Sequence, residues 1–229
     1  MKRLLRILGI PYPSALPLLI PTIDPGAIIR DRLDLVIADP EVRDGNVSLL
    51  ELLIIAQLVK RLEPKKLFEI GTFDGRSARV MAANSPEDAL VYTLDLPMGE
   101  PPVALRESGG DRKYIGRVKT GERFISTPEA KKIVQLRGDS ATFDFSPYQG
   151  AIDFTFIDGS HDYSYVLGDS RQAEKMRSYR GIIVWHDYST SWPGAIAALN
   201  HLFRSGGEWQ NLRHILTTSF VILAPAEVL

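Results

Sequence analysis

Short acidic or histidine-bearing clusters recur along this 229-residue chain: Glu69-Ile70-Gly71, Asp95, Asp139-Ser140, Asp158-Gly159-Ser160-His161 and His186-Asp187. Carboxylates accept hydrogen bonds from hydroxyl and N–H groups. An imidazole titrating near its ordinary value of about 6.5 exchanges protons close to neutrality. Such residues in one place can hold a hydroxylated or cationic ligand, take a proton from a hydroxyl, or ligate a divalent ion. His161 and His186 are the candidate bases. Each has a plainer alternative: His161 as a helix-start residue bonded to Asp158, His186 as a buried ring that orients a strand end. His201 and His214 lack acidic company in the sequence and read as structural or surface residues.

The segment Phe68-Glu69-Ile70-Gly71-Thr72-Phe73-Asp74-Gly75-Arg76-Ser77 has the form of a strand, a glycine turn and a helix start. Its glycines are spaced Gly-x-x-x-Gly. A dinucleotide site instead needs the closer spacing that lets a pyrophosphate reach the helix N-terminus. Glu69 and Asp74 beside the glycines would repel a pyrophosphate and favour a cationic ligand. The same glycines would also serve simple strand-to-helix packing. Asp95 lies twenty residues after Gly75 at the end of the next apolar run, where a carboxylate can accept two ribose hydroxyls. A helix cap or turn is its plainer role. Asp139 and Ser140 follow a third run, placed to meet a base edge or to cap a helix.

The elements that must position these groups alternate. Ser48 with Glu51 three residues on forms a capping box before a helical apolar pattern that Pro64 ends. Apolar runs over 66–70, 90–94, 133–137, 152–157, 181–185, 212–216 and 220–223 predict strands, and helices are predicted over 76–83, 162–178 and 193–203. Residues 98–130, rich in Gly and Pro, predict long loops with a short helix from Val103 and a helical turn after Pro128. Alternation implies a doubly wound, mostly parallel sheet, whose ligands sit beyond the carboxyl ends of the strands. Nearly every acidic cluster falls at such an end. Trp185 and Trp192 flank the same rim, Trp185 reading as core and Trp192 as a wall for a ligand.

Five segments in order, Glu69-Ile-Gly-Thr-Phe-Asp-Gly75, Tyr92-Thr-Leu-Asp-Leu-Pro97, Gly138-Asp-Ser140, Phe156-Ile-Asp-Gly-Ser-His161 and Gly181-Ile-Ile-Val-Trp-His-Asp-Tyr188, resemble the class I S-adenosylmethionine-dependent methyltransferases. They are most similar to the branch whose fourth strand ends in Asp-Gly-x-His. The resemblance covers about residues 46–223. It implies a seven-stranded sheet with its last strand antiparallel. It implies S-adenosylmethionine against Glu69, Gly71, Asp74, Gly75, Asp95 and Asp158, with Asp139 and Ser140 near the adenine. It further implies transfer to a hydroxyl of a small molecule, served by His161, Asp158 and His186. Some related O-methyltransferases bind a divalent metal, and the matching positions are Asp158, His186 and Asp187. His186 departs from the carboxylate usual there, a change that suits Mn²⁺, Zn²⁺ or Fe²⁺ better than Mg²⁺. Three other readings remain beside this one: an NAD(P)-dependent oxidoreductase, a metal-dependent hydrolase, and a non-catalytic ligand-binding protein on the same sheet.

Bulk composition narrows the partners. Formal charge is −1, which argues against a general nucleic-acid binder. The chain has no cysteine, so no disulfide framework or catalytic thiol is expected, in keeping with a cytoplasmic protein. The apolar run from Leu49 to Val59 is far short of the roughly 20 residues that span a membrane. Residues 1–45, broken by prolines, read as an N-terminal extension or cap with a short helix at its start, suited to packing on a partner subunit in a homodimer, or as a weak basic surface anchor. Residues 46–229 read as the catalytic domain.

Overall fold

The computed structural model describes residues 16–97, Asp111, Tyr114 and residues 119–228. The short helices expected at the start of the chain and from Val103 lie outside the described residues. In chain order the elements are β1 (Thr22–Ile23), α1 (Leu49–Leu62), β2 (Lys66–Ile70), α2 (Arg76–Asn84), β3 (Leu90–Asp95), β4 (Ile133–Arg137), β5 (Ile152–Ile157), α3 (Tyr163–Met176), β6 (Arg177–Trp185), α4 (Pro193–Ser205), β7 (Arg213–Ile215) and β8 (Val221–Leu223).

Strand order is β1-β7-β8-β6-β5-β2-β3-β4, with β8 antiparallel to both neighbours and every other pairing parallel. The seven predicted strands are present, and the last runs antiparallel. The sheet has an eighth strand, because Thr22–Ile23 of the N-terminal extension pairs with β7. This part of the extension therefore packs on its own chain. Leu19 N donates to the Tyr188 hydroxyl at 2.8 Å, and Asn200 Nδ2 donates to Pro17 O at 2.8 Å. The predicted helix over 162–178 stops at Met176, since Arg177 turns extended and pairs with Ile152.

Alternating strand residues face opposite layers. Leu67, Val91, Ile182 and Val184 join residues of α1 and α2 in one core; Phe68, Leu94, Ile183 and Trp185 join α3 and α4 in the other. Among the described residues, no helix is long and apolar enough to cross a membrane.

The sheet changes direction between β2 and β5, its topological switch point. The two strand ends approach closely there. Gly71 sits at φ 102°, and a Cβ on it would lie 2.1 Å from Asp158 O, so no other residue fits. Around this crevice the ends of β2 to β6 converge.

Candidate active site

A cleft of about 320 Å³ lies over the switch point. That falls within the roughly 300–1,000 Å³ typical of a small-ligand site. Gly71, Asp95, Asp139, Ser140, Asp158, His161, His186 and Asp187, all predicted from sequence, line it.

Glu69, Asp74 and Gly75 were expected to line the same cleft and do not. The Glu69 side chain is fully buried, accepting hydrogen bonds from Ser77 Oγ and from Thr93 Oγ1, the latter at 2.5 Å. Burial pushes its carboxyl up to about 8, against the pull of those two hydroxyls. Asp74 is equally buried and pairs with Arg123 Nε at 2.7 Å. Gly75 caps α2 at φ 87°, and the space beside its Cα is filled by Phe124. The two carboxylates of the first turn therefore meet partners inside the protein. Asp74 fastens the segment at Arg123 to the turn, and Arg123 also bonds Asp39 at 2.7 Å.

At one end of the cleft, Asp95 Oδ2 accepts from Phe73 N and Oδ1 from Leu96 N, both at 2.8 Å. Burial raises the Asp95 carboxyl, and the backbone N–H groups of Phe73 and Leu96 pull the other way. Asp139 accepts from Ala141 N and, at 2.9 Å, from the Tyr165 hydroxyl. Ser140 stands beside it.

At the other end, carboxylates and imidazoles alternate. His161 Nδ1 lies 2.5 Å from Asp111 Oδ1, and its Nε2 lies 2.6 Å from Asp187 Oδ2. Burial works against the charged ring, but the two carboxylates prevail and lift His161 to about 9. A ring with acceptors on both nitrogens is an imidazolium at neutral pH and has no lone pair to receive a proton. His161 as directly acting base does not fit this arrangement. His186 Nδ1 lies 2.8 Å from Asp158 Oδ1 and 2.9 Å from Asp187 Oδ2, and its Nε2 lies 3.5 Å from Glu51 Oε2. Burial opposes its charge; the aspartates raise its pKa well above the ordinary value. His186 thus points a donor at the two carboxylates it was expected to join as a metal ligand. Among the described residues, the set whose candidate ligand atoms lie within 4.8 Å of one another is Asp158, His161 and Asp187.

Burial and the nearby Asp187 push the Asp158 carboxyl up, while His186 and His161 oppose them. Trp192 lies face to face on His161, ring centroids 3.6 Å apart and planes 13° from parallel. Tyr114 lies 6.4 Å from Trp192, and together they form an aromatic wall. Trp185 is core, its Nε1 donating to Ser170 Oγ at 2.8 Å.

Asp111, Tyr114, Tyr165 and Glu51 escaped the sequence reading as site residues. Asp111 and Tyr114 carry no local signal in a glycine-rich stretch. Glu51 was visible as a helix cap, and that role is present, with Ser48 N donating to it at 2.8 Å. Its reach to His186 depends on tertiary packing alone.

A family model described as a methyltransferase domain matches residues 68–188, more than half of the chain. The caffeoyl-CoA O-methyltransferase of Stellaria longipes is 26% identical over 147 residues, covering 63% of this chain and 54% of that protein, so the match spans about half the length of the relative. Among solved structures, the O-methyltransferase TomG of Streptomyces achromogenes, determined with S-adenosylmethionine, is similar at TM-score 0.57 and 15% identity over 91% of this chain and 93% of that one. The O-methyltransferase NovP is similar at TM-score 0.57 and 19% identity, over 77% of this chain and 80% of that one.

Proposed function

From the premise that this chain belongs to the methyltransferase-domain family, we propose that it transfers a methyl group from S-adenosylmethionine to a hydroxyl oxygen of a small molecule. One observation carries this reading. A single cleft joins a carboxylate-lined end, built from the ends of β3 and β4, to an acid–imidazole end built after β5 and β6. The donor set fits the cofactor: among the described lining residues there are carboxylates and hydroxyls and no Lys or Arg, which suits ribose and cationic groups and not a pyrophosphate. That contrast also disfavours the NAD(P) reading. S-adenosylmethionine held there supplies a methyl group on a cationic sulfur that departs as a neutral thioether.

The chain's own residues do the rest. Asp95 receives the ribose hydroxyls, and Asp139 and Ser140 face the adenine. Trp192 and Tyr114 wall the acceptor and keep water from its reactive oxygen. Alignment of nucleophile and methyl contributes up to roughly 7–11 kcal/mol in well-oriented systems. Asp158 takes the hydroxyl proton as oxygen attacks, because its raised pKa makes it a stronger base than an ordinary aspartate. His161 and His186 hold the neighbouring Asp187 and stabilise the negative charge that builds on the oxygen. A divalent ion on Asp158, His161 and Asp187 would have to displace the proton of His161 Nε2, and would then lower the hydroxyl pKa at the same place; the mixed oxygen and nitrogen donors suit Mn²⁺ or Zn²⁺.

Calorimetric titration of metal-stripped protein with S-adenosylhomocysteine tests the reading. One-to-one binding at micromolar strength, with none for NAD⁺, is expected. Folded protein that ignores S-adenosylhomocysteine overturns it.

A further inference from the structure

The turn between β7 and β8 reaches the exit of β6 through one serine. Ser219 Oγ accepts from Asp187 N at 3.2 Å, and Ser219 O accepts from Tyr188 N at 2.9 Å. Two successive N–H groups after β6 therefore end on a single residue. That serine is held in turn by Glu51 of α1, whose Oε1 accepts from Ser219 Oγ at 2.9 Å and from Ser219 N at 2.8 Å.

A serine hydroxyl has one hydrogen and two lone pairs. Here the hydrogen goes to Glu51, which leaves a lone pair to face Asp187 N. Capping of α1 uses the other oxygen of Glu51, since Oε2 accepts from Ser48 N at 2.8 Å. Oε1 is thus given over to Ser219. Glu51 is 5% exposed, and a carboxylate buried so far is costly unless its oxygens are well bonded. Neither Glu51 nor Ser219 lines the cleft, whereas Asp187 does. The bonds end on a backbone held left-handed at φ 65°, a conformation that costs a residue other than glycine about 1 kcal/mol or more. From that backbone Asp187 Oδ2 reaches His161 Nε2 at 2.6 Å and His186 Nδ1 at 2.9 Å. An extended or right-handed backbone would send the side chain in another direction and part it from both rings.

We propose that Ser219, oriented by Glu51, is a positioning residue that keeps Asp187 left-handed and so sets its carboxylate between the two imidazoles. This rests on the reading of that end of the cleft as the place of methyl transfer. Asp187 released from Ser219 would free the two rings that stabilise the charge building on the acceptor oxygen.

The test is NMR of the full chain, metal-stripped and labelled in ring and backbone nitrogen, at pH 6, where even an ordinary imidazole is mostly protonated. His161 carries its own control, because its Nδ1 faces Asp111 and its Nε2 faces Asp187. In S219A the Nε2 proton signal is expected to move upfield or to vanish by exchange with water, while the Nδ1 signal stays. General loosening of the fold would not separate the two. The Asp187 amide is expected to exchange about tenfold faster, the scale of one hydrogen bond. S219T keeps the hydroxyl and is expected to keep the wild-type signals. E51A leaves that hydroxyl without its acceptor and is expected to follow S219A, which decides the matter if E51A does not fold. An Nε2 signal unchanged in folded S219A, or lost together with the Nδ1 signal, overturns the inference alone. Wild-type protein that binds no S-adenosylhomocysteine in parallel calorimetry overturns the cofactor reading and the inference with it.

Discussion

His161 Nε2 lies 2.6 Å from Asp187 Oδ2 across the mouth of the cleft, and Asp187 holds that position from a left-handed backbone, φ 65°. An aspartate in that region costs about 1 kcal/mol or more, so the surrounding bonds must hold it there. Among them, Ser219 Oγ accepts from Asp187 N at 3.2 Å, and both imidazoles approach the Asp187 carboxylate.

This relationship predicts a protonation state. The folded pKa of His161, about 9, lies above its ordinary 6.5, so the ring's stabilising contribution is fully present below pH 6.5 and is lost as pH rises through about 9. Nitrogen NMR of ring-labelled, metal-stripped protein at pH 7 should show both His161 nitrogens protonated, with titration near pH 9. A neutral ring at pH 7 contradicts the arrangement. H161Q should slow transfer by about 10²-fold or more while S-adenosylhomocysteine affinity stays within about threefold.

Asp95 predicts the opposite split. Two hydrogen bonds from ribose to a carboxylate are each worth roughly 1.5 kcal/mol or more, so D95A should weaken S-adenosylhomocysteine binding by about 10²-fold. Phe73 N and Leu96 N lose their acceptor in the same variant, so D95N, which keeps one, should lose less. Calorimetry of both variants checks the order, and equal affinity of D95A and wild type removes Asp95 from the cofactor site.

The sequence made the rim legible because strand ends are local features: apolar runs stop at Asp95, Asp139, Asp158 and His186, and a parallel sheet brings such stops to one edge. Side-chain direction was not legible. Glu69 and Asp74 flank the turn glycines as a ligand-binding pair would, yet Glu69 turns to Ser77 and Thr93 and Asp74 to Arg123, partners that only the folded chain supplies. Asp111 reaches His161 from 50 residues away. β1 was hidden because two paired residues make no periodic pattern.

Glu51 links three elements. Its Oε1 accepts from Ser219 N at 2.8 Å and from Ser219 Oγ at 2.9 Å, its Oε2 accepts from Ser48 N, and His186 lies alongside. Burial penalises the charge, but the His186 ring and the N–H groups of Ser219 and Ser48 hold the carboxyl down at about 2. A depressed carboxyl contributes stability above its ordinary 4.5 that disappears as pH falls through about 2. E51Q should therefore cost roughly 2–3 kcal/mol at pH 7 and much less at pH 3, by urea unfolding. A penalty that does not shrink on acidification would mean that Glu51 acts through packing and not through its charge.

Glu69 predicts the reverse slope. Its folded pKa of about 8 lies above its ordinary 4.5, so between those values the folded chain keeps a proton that the unfolded chain has released. Stability falls with rising pH across that window, by at most about 1.4 kcal/mol per pH unit for one proton. E69Q has no proton to lose and can still accept at one of the two positions that Ser77 and Thr93 address. Relative to wild type, E69Q should gain stability steadily from pH 5 to pH 8, whatever its absolute stability at pH 5. Urea unfolding at pH 5, 6.5 and 8 measures the difference. Parallel profiles would show that Glu69 is ionised in the folded protein, with Ser77 and Thr93 compensating its charge more fully than two hydroxyls normally do.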